Sequence, residues 1–95
     1  MVKVSLLTAK WCSQCPSVKE IWRELKQRYD FEYEEVDITS DRGKELVKQN
    51  EIKSVPVTLI DGNVVFIGIP DKEEAVLAVQ NKIIVLGEEE VDREL

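Results

Sequence analysis

The chain's only two thiols, Cys12 and Cys15, stand three positions apart within "AKWCSQCPSVKEIW", residues 9–22. A C-x-x-C spacing supports three chemistries. Reduced, the pair is a dithiol that can exchange with a disulfide in another molecule. As two thiolates, it is half of a tetrahedral zinc site or half of a cluster site that a second copy would complete. Buried and unreactive, it would be ordinary packing. The sequence contains no histidine. That excludes a histidine general base, a histidine-containing zinc site and a Cys–His dyad.

The thiolate is the attacking form in disulfide exchange. At an ordinary thiol pKa only about 3% of it is present at pH 7. A helix N-terminus, with unpaired N–H groups and a partial positive charge, would raise that fraction. The elements around the pair therefore matter. "VKVSLLT" (2–8) is short, apolar and bounded by charge, which predicts a buried strand. "PSVKEIWRELKQRY" (16–29) has helical periodicity, with Val18, Ile21, Trp22, Leu25 and Tyr29 on one face. Ser17 and Glu20 have capping-box spacing and Pro16 suits a first turn, so the helix starts there or one turn earlier, at the cysteines. Cys12 is then the sulfur at the helix entrance, and Cys15, one turn on, is the more buried. Lys10 adds a positive charge nearby.

Further along, "FEYEEVDI" (31–38) predicts a second strand. "TSDRGKELVKQNEI" (39–52) predicts a helix capped by Thr39 or Ser40, contributing Leu46, Val47 and Ile52 to the core. "VPVTLIDGNVVFIG" (55–68) holds two apolar runs around Asp61-Gly62-Asn63, the chemistry of a tight hairpin. "PDKEEAVLAVQNKI" (70–83) predicts a last helix opened by Pro70 or Asp71, with acids in its first turn. The order βαβ, α, ββα implies a parallel first pair with a right-handed crossover and an antiparallel hairpin at the edge. The expected fold class is α/β: a four-stranded mixed sheet with helices on both faces. One domain spans 1–83. Residues 84–95 form an acidic extension, in which Ile84–Leu86 either lengthen the last helix or make a short strand.

With 43% hydrophobic and 34% charged residues, the chain is globular rather than disordered. Its net charge of −6 argues against nucleic acid as a partner. No apolar run reaches the ~18 residues of a membrane span. The apolar N-terminal stretch is shorter than a signal-peptide core, so a cytoplasmic location is expected. Thiols stay reduced in that compartment, which disfavours a permanent structural disulfide.

Three landmarks together resemble the thioredoxin superfamily. "WCSQC" (11–15) resembles that family's W-C-x-x-C site. "SVPVTLIDG" (54–62) resembles its strand entered through proline, and "FIG" (66–68) before a helix resembles its glycine facing the active site. The resemblance covers about residues 2–83. The length is similar to that of small glutaredoxin-like thioredoxins and glutaredoxins. It implies a thioredoxin-like fold and a thiol–disulfide oxidoreductase in which Cys12 attacks and Cys15 resolves. It also implies a cis Val55–Pro56 bond, with the backbone of Val55 free to pair with an extended substrate segment. Trp11 and Gly68 would line the substrate groove, and Ser13 and Gln14 would tune the redox potential. No bound cofactor or metal is implied. The implied partners are disulfide-containing proteins and, as electron source, a thioredoxin-reductase-like enzyme or glutathione. The protein would act as a monomer, away from nucleic acid and membrane.

The chain also departs from the patterns it resembles. Larger thioredoxins carry an acid in the first strand and a lysine on the next central strand; here those positions are Leu6 and Glu35. Glutaredoxins hold glutathione with a Gly-Gly pair and an aspartate; here Gly68 is followed by Ile69-Pro70-Asp71. Two other functions stay open on these residues. One is glutathione-linked glutaredoxin chemistry. The other is a dimer that binds metal or an iron–sulfur cluster without turnover.

Overall fold

The computed structural model describes residues 2–80. Seven elements follow in the order β1 (Lys3–Thr8), α1 (Cys15–Arg28), β2 (Glu32–Asp37), α2 (Asp41–Asn50), β3 (Val57–Ile60), β4 (Asn63–Ile67) and α3 (Lys72–Val79). The strands form one sheet in the order β2-β1-β3-β4. β1 and β2 are parallel, joined through α1, while β3 is antiparallel to both β1 and β4. This is the mixed sheet that the element order requires. The end of the last expected helix beyond Gln80, and the 84–95 extension with its domain boundary, lie outside the described residues.

The period-two alternation of β1 divides the core. Val4 and Leu6 point to one face, where Val18, Trp22 and Leu25 of α1 meet Ala75, Ala78 and Val79 of α3. Leu7 points to the other face, with Val36, Val57 and Leu59, under Leu46 and Val47 of α2. Trp22 lies fully buried between Phe31 and Phe66, with ring centroids 6.2 and 6.1 Å away. Its indole N–H donates to the buried hydroxyl of Thr58 at 3.2 Å, so its polar edge is satisfied within the core.

Local chemistry sets the element ends. Asp61 (φ 52°) and Gly62 (φ 87°) form the two-residue hairpin turn, both left-handed, as a turn matched to strand twist demands. Ser40 caps α2, its hydroxyl accepting from the Gly43 N–H at 3.0 Å. Thr39 instead donates to Asp37. Asp71 caps α3 by accepting from the N–H groups of Glu73 and Glu74. Ser17 does not cap α1: the helix begins at Cys15, after Gln14, and no side chain caps it. The spacing of Ser17 and Glu20 falls inside the first helical turns, where Ser17 N–H already bonds to the Gln14 carbonyl at 3.2 Å.

Two polar networks tie the outer elements to the sheet. Glu34 accepts from Ser5 at 2.6 Å and pairs with Arg42 of α2. The hydrogen bond from Arg42 holds its carboxyl down, at about 2, against the opposing effect of burial. On the other face, Arg23 of α1 grips Glu35 through two 2.8 Å hydrogen bonds, and the Tyr33 hydroxyl donates to the same carboxylate at 2.7 Å. Burial opposes ionisation of Glu35, but these donors outweigh it and lower its pKa. Tyr33 is pushed upward, first by burial and then by that carboxylate.

Candidate active site

Strand direction assembles the site. β2 runs parallel to β1, so Asp37 lies beside Thr8 at their shared carboxyl end. β3 runs the opposite way, so its entrance lies at the same end, with Val57 opposite both Leu7 and Ile67. Four chain segments therefore meet there: 9–15 after β1, 38–40 after β2, 52–56 before β3 and 68–70 after β4.

The chain leaves β1 in a tight turn, closed by a 3.2 Å hydrogen bond from the Cys12 N–H to the Ala9 carbonyl. It enters α1 at Cys15. Cys12 and Cys15 are joined in a disulfide, with Cα atoms 5.4 Å apart, inside the usual range for such a bond. The bond fixes the Cys12 sulfur at the helix N-terminus. Pro16 carries no N–H, and no acidic residue occupies the first turn of α1. The positive end of the helix therefore acts on the two sulfurs without a carboxylate to offset it. Cys15 is 2% exposed and belongs to the core, whereas Cys12 is partly open.

A groove of about 470 Å³ opens in front of Cys12. Of the residues singled out in the sequence, Trp11, Cys12, Ser13, Gln14 and Val55 line it. Trp11 is 68% exposed, a large apolar surface left in solvent. Val55 makes no backbone hydrogen bond with another described residue. The Val55–Pro56 peptide bond is cis. Pro56 and Gly68 do not line the groove. Pro56 is buried, and its carbonyl accepts from the Gly68 N–H at 2.8 Å, joining the start of β3 to the end of β4. Gly68 has a φ of 87°, which a side chain would strain.

The groove includes five residues that were not expected there: Ile38, Val47, Ile52, Lys53 and Ser54. Val47 and Ile52 carried a core signal, and they serve both core and groove. Ile38 is placed at the site by its backbone, whose N–H donates to the Thr8 carbonyl at 2.9 Å. Lys53 and Ser54 had one usable signal, their position immediately before the Val-Pro step. Leu6 is fully buried beside Glu35 in register, and Glu35 is engaged by Arg23 and Tyr33. Among the described residues no three His, Cys, Asp or Glu side chains cluster as metal ligands. No helix among them is long and apolar enough to cross a membrane.

A mixed sheet that sets a bonded C-x-x-C pair at the mouth of its first helix, beside an open groove, defines a protein of dithiol–disulfide exchange. Comparison with known proteins agrees. The thioredoxin-domain family model matches residues 1–80. A probable thioredoxin of Methanothermobacter marburgensis is 32% identical over 85 residues, covering 87% of this chain and 98% of that protein. The thioredoxin of Methanocaldococcus jannaschii is 30% identical over 82 residues, covering 86% and 96%. Among solved structures, a mutant thioredoxin from Halobacterium salinarum superposes with a TM-score of 0.67 at 21% identity, covering 85% of this chain and 74% of that one. Oxidised mitochondrial thioredoxin 3 from Saccharomyces cerevisiae gives 0.68 at 21%, covering 84% and 77%. These two establish likeness of fold. The chain belongs to the thioredoxin superfamily and is a thiol–disulfide oxidoreductase.

Proposed function

We propose that the protein reduces disulfides in other proteins, with Cys12 as the attacking sulfur and Cys15 as the resolving one. The observation that carries this reading is the asymmetry of the pair: Cys12 opens on the groove while Cys15 is 2% exposed. In the reduced protein, the Cys12 thiolate attacks one sulfur of a target disulfide. A bond forms between Cys12 and that sulfur, and the other target sulfur leaves as a thiolate. The Cys15 sulfur, having lost its proton, then attacks Cys12. The pair closes and the second target thiolate leaves. Two electrons have passed from the dithiol to the target.

The helix N-terminus favours the thiolate of Cys12 before the first step. Glu35 is held by Arg23 and Tyr33, so the Cys15 proton goes to water or to a departing thiolate. The backbone of Val55, bonded to no other described residue, offers an extended substrate a short strand-like contact. Trp11, Ser13 and Gln14 flank the attacked sulfur. Pro56 and Gly68 fix the hairpin end beside the groove. A thioredoxin-reductase-like enzyme or glutathione returns the electrons, in the reducing cytoplasm, and a single copy of the chain suffices.

The test is reduction of a generic protein disulfide by wild type and Cys12→Ser. One arm is driven by a thioredoxin-reductase system and the other by glutathione with its reductase. Turnover in the first arm that vanishes in the variant supports the reading. Turnover confined to the glutathione arm moves the protein to glutaredoxin chemistry. Turnover that survives Cys12→Ser overturns the mechanism.

A further inference from the structure

The groove before Cys12 is apolar on most of its walls, through Trp11, Ile38, Val47, Ile52 and Val55. Among the described residues one charged residue, Lys53, lines it. Lys53 is exposed and makes no ion pair with another described residue. It lies two residues before Val55, whose backbone bonds to no other described residue. A substrate segment laid along residues 53–55 would run past this ammonium.

We infer that Lys53 makes the groove selective for disulfide segments carrying a carboxylate two or three residues from the reacting cysteine, next to an apolar side chain. This rests on the reading that the groove before Cys12 receives the substrate. The apolar residue of the segment sits against Ile38, Val47 and Ile52, and its acid pairs with Lys53. The charge of the whole chain, −6, acts in the opposite sense. That field favours basic partners at long range, but salt screens it beyond about 8–10 Å. A direct ion pair with Lys53 would form well inside that range. The two effects therefore predict opposite preferences.

The experiment uses two peptides, each closed by an internal disulfide. They are identical except for Glu or Lys at positions two and three residues from the attacked cysteine. kcat/KM is measured for wild type, Lys53→Gln and Lys53→Glu with the same reducing system. An exposed ion pair predicts that wild type favours the Glu peptide about two- to five-fold. Lys53→Gln should bring the ratio to one or slightly below, Lys53→Glu should invert it, and high salt should draw all three toward one. A wild-type ratio at or below one, or a ratio unmoved by Lys53→Glu, overturns the assignment of Lys53 and leaves the role of Cys12 standing. Wild-type turnover of neither peptide, with a generic protein disulfide still reduced, overturns the groove as the substrate site and the selectivity with it. Turnover of both peptides by Cys12→Ser overturns the mechanism itself.

Discussion

Gly43 decides how closely α2 sits on the sheet. It is the third residue of α2, and its N–H is held by the Ser40 hydroxyl at 3.0 Å. In an ordinary helix, Gly→Ala stabilises by up to about 1 kcal/mol, because alanine loses less backbone freedom on folding. Here a Cβ would stand 2.0 Å from the Asp37 carbonyl oxygen and 2.7 Å from the Ile38 Cα. Both are backbone atoms, so no side chain can swing aside. Either α2 moves bodily outward or the end of β2 bends. Overpacking of this kind costs about 1–3 kcal/mol, and the depth of the overlap places it at the upper end. Setting about 3 against about 1 leaves Gly43→Ala about 2 kcal/mol less stable. For a domain of this size that lowers Tm by roughly 8–16 °C. Urea unfolding followed by tryptophan fluorescence gives the midpoint and slope. Because Ile38 and Val47 line the groove, KM for a protein disulfide should rise as well. A variant as stable as wild type, or more so, would refute the claim that backbone contact rather than helix propensity sets this position.

Two further outcomes follow from the core and the sheet. Trp22→Phe removes the donor to Thr58, a side chain with no exposure, and leaves a small void. It should cost about 2–3 kcal/mol in urea unfolding; a cost under about 0.5 kcal/mol would show that the buried hydrogen bond contributes nothing. Glu34 has a folded pKa lowered from 4.5 to about 2, chiefly by Arg42. Its stabilisation is therefore complete above about pH 4.5 and fades as pH falls toward 2. Arg42 is 52% exposed, so solvent screening holds the contribution to about 1 kcal/mol or less. Glu34→Gln should lose that amount at pH 7 and show a flatter acid limb; an unchanged acid limb would contradict the pairing.

Much of this architecture is legible in the residues because local rules and the global fold agree. Val18, Trp22 and Leu25 sit three or four apart and are buried on one face of α1. Asp61-Gly62 supplies the two left-handed residues its hairpin needs. The capping box at Ser17 misleads because its spacing also occurs inside a helix, and α1 starts without a side-chain cap. The family landmarks locate Cys12, Cys15 and Val55, which are local in sequence. The rest of the groove is not local. Ile38, Val47 and Lys53 come from three separate segments that only strand direction brings to Cys12. Gly43 reads in sequence as a weak spot in a helix. Its function as a close-approach point depends on where β2 ends, which no periodicity encodes.

The division of labour between Cys12 and Cys15 is tested most directly by trapping. Cys15→Ser and Cys12→Ser proteins, reduced and then mixed with a disulfide-containing protein, are separated without reductant and mapped by mass spectrometry. A stable mixed disulfide is expected on Cys12 in the first variant, and little or none on the 2%-exposed Cys15 in the second. Equal adducts on both cysteines, or adducts on Cys15 alone, would contradict that division of labour.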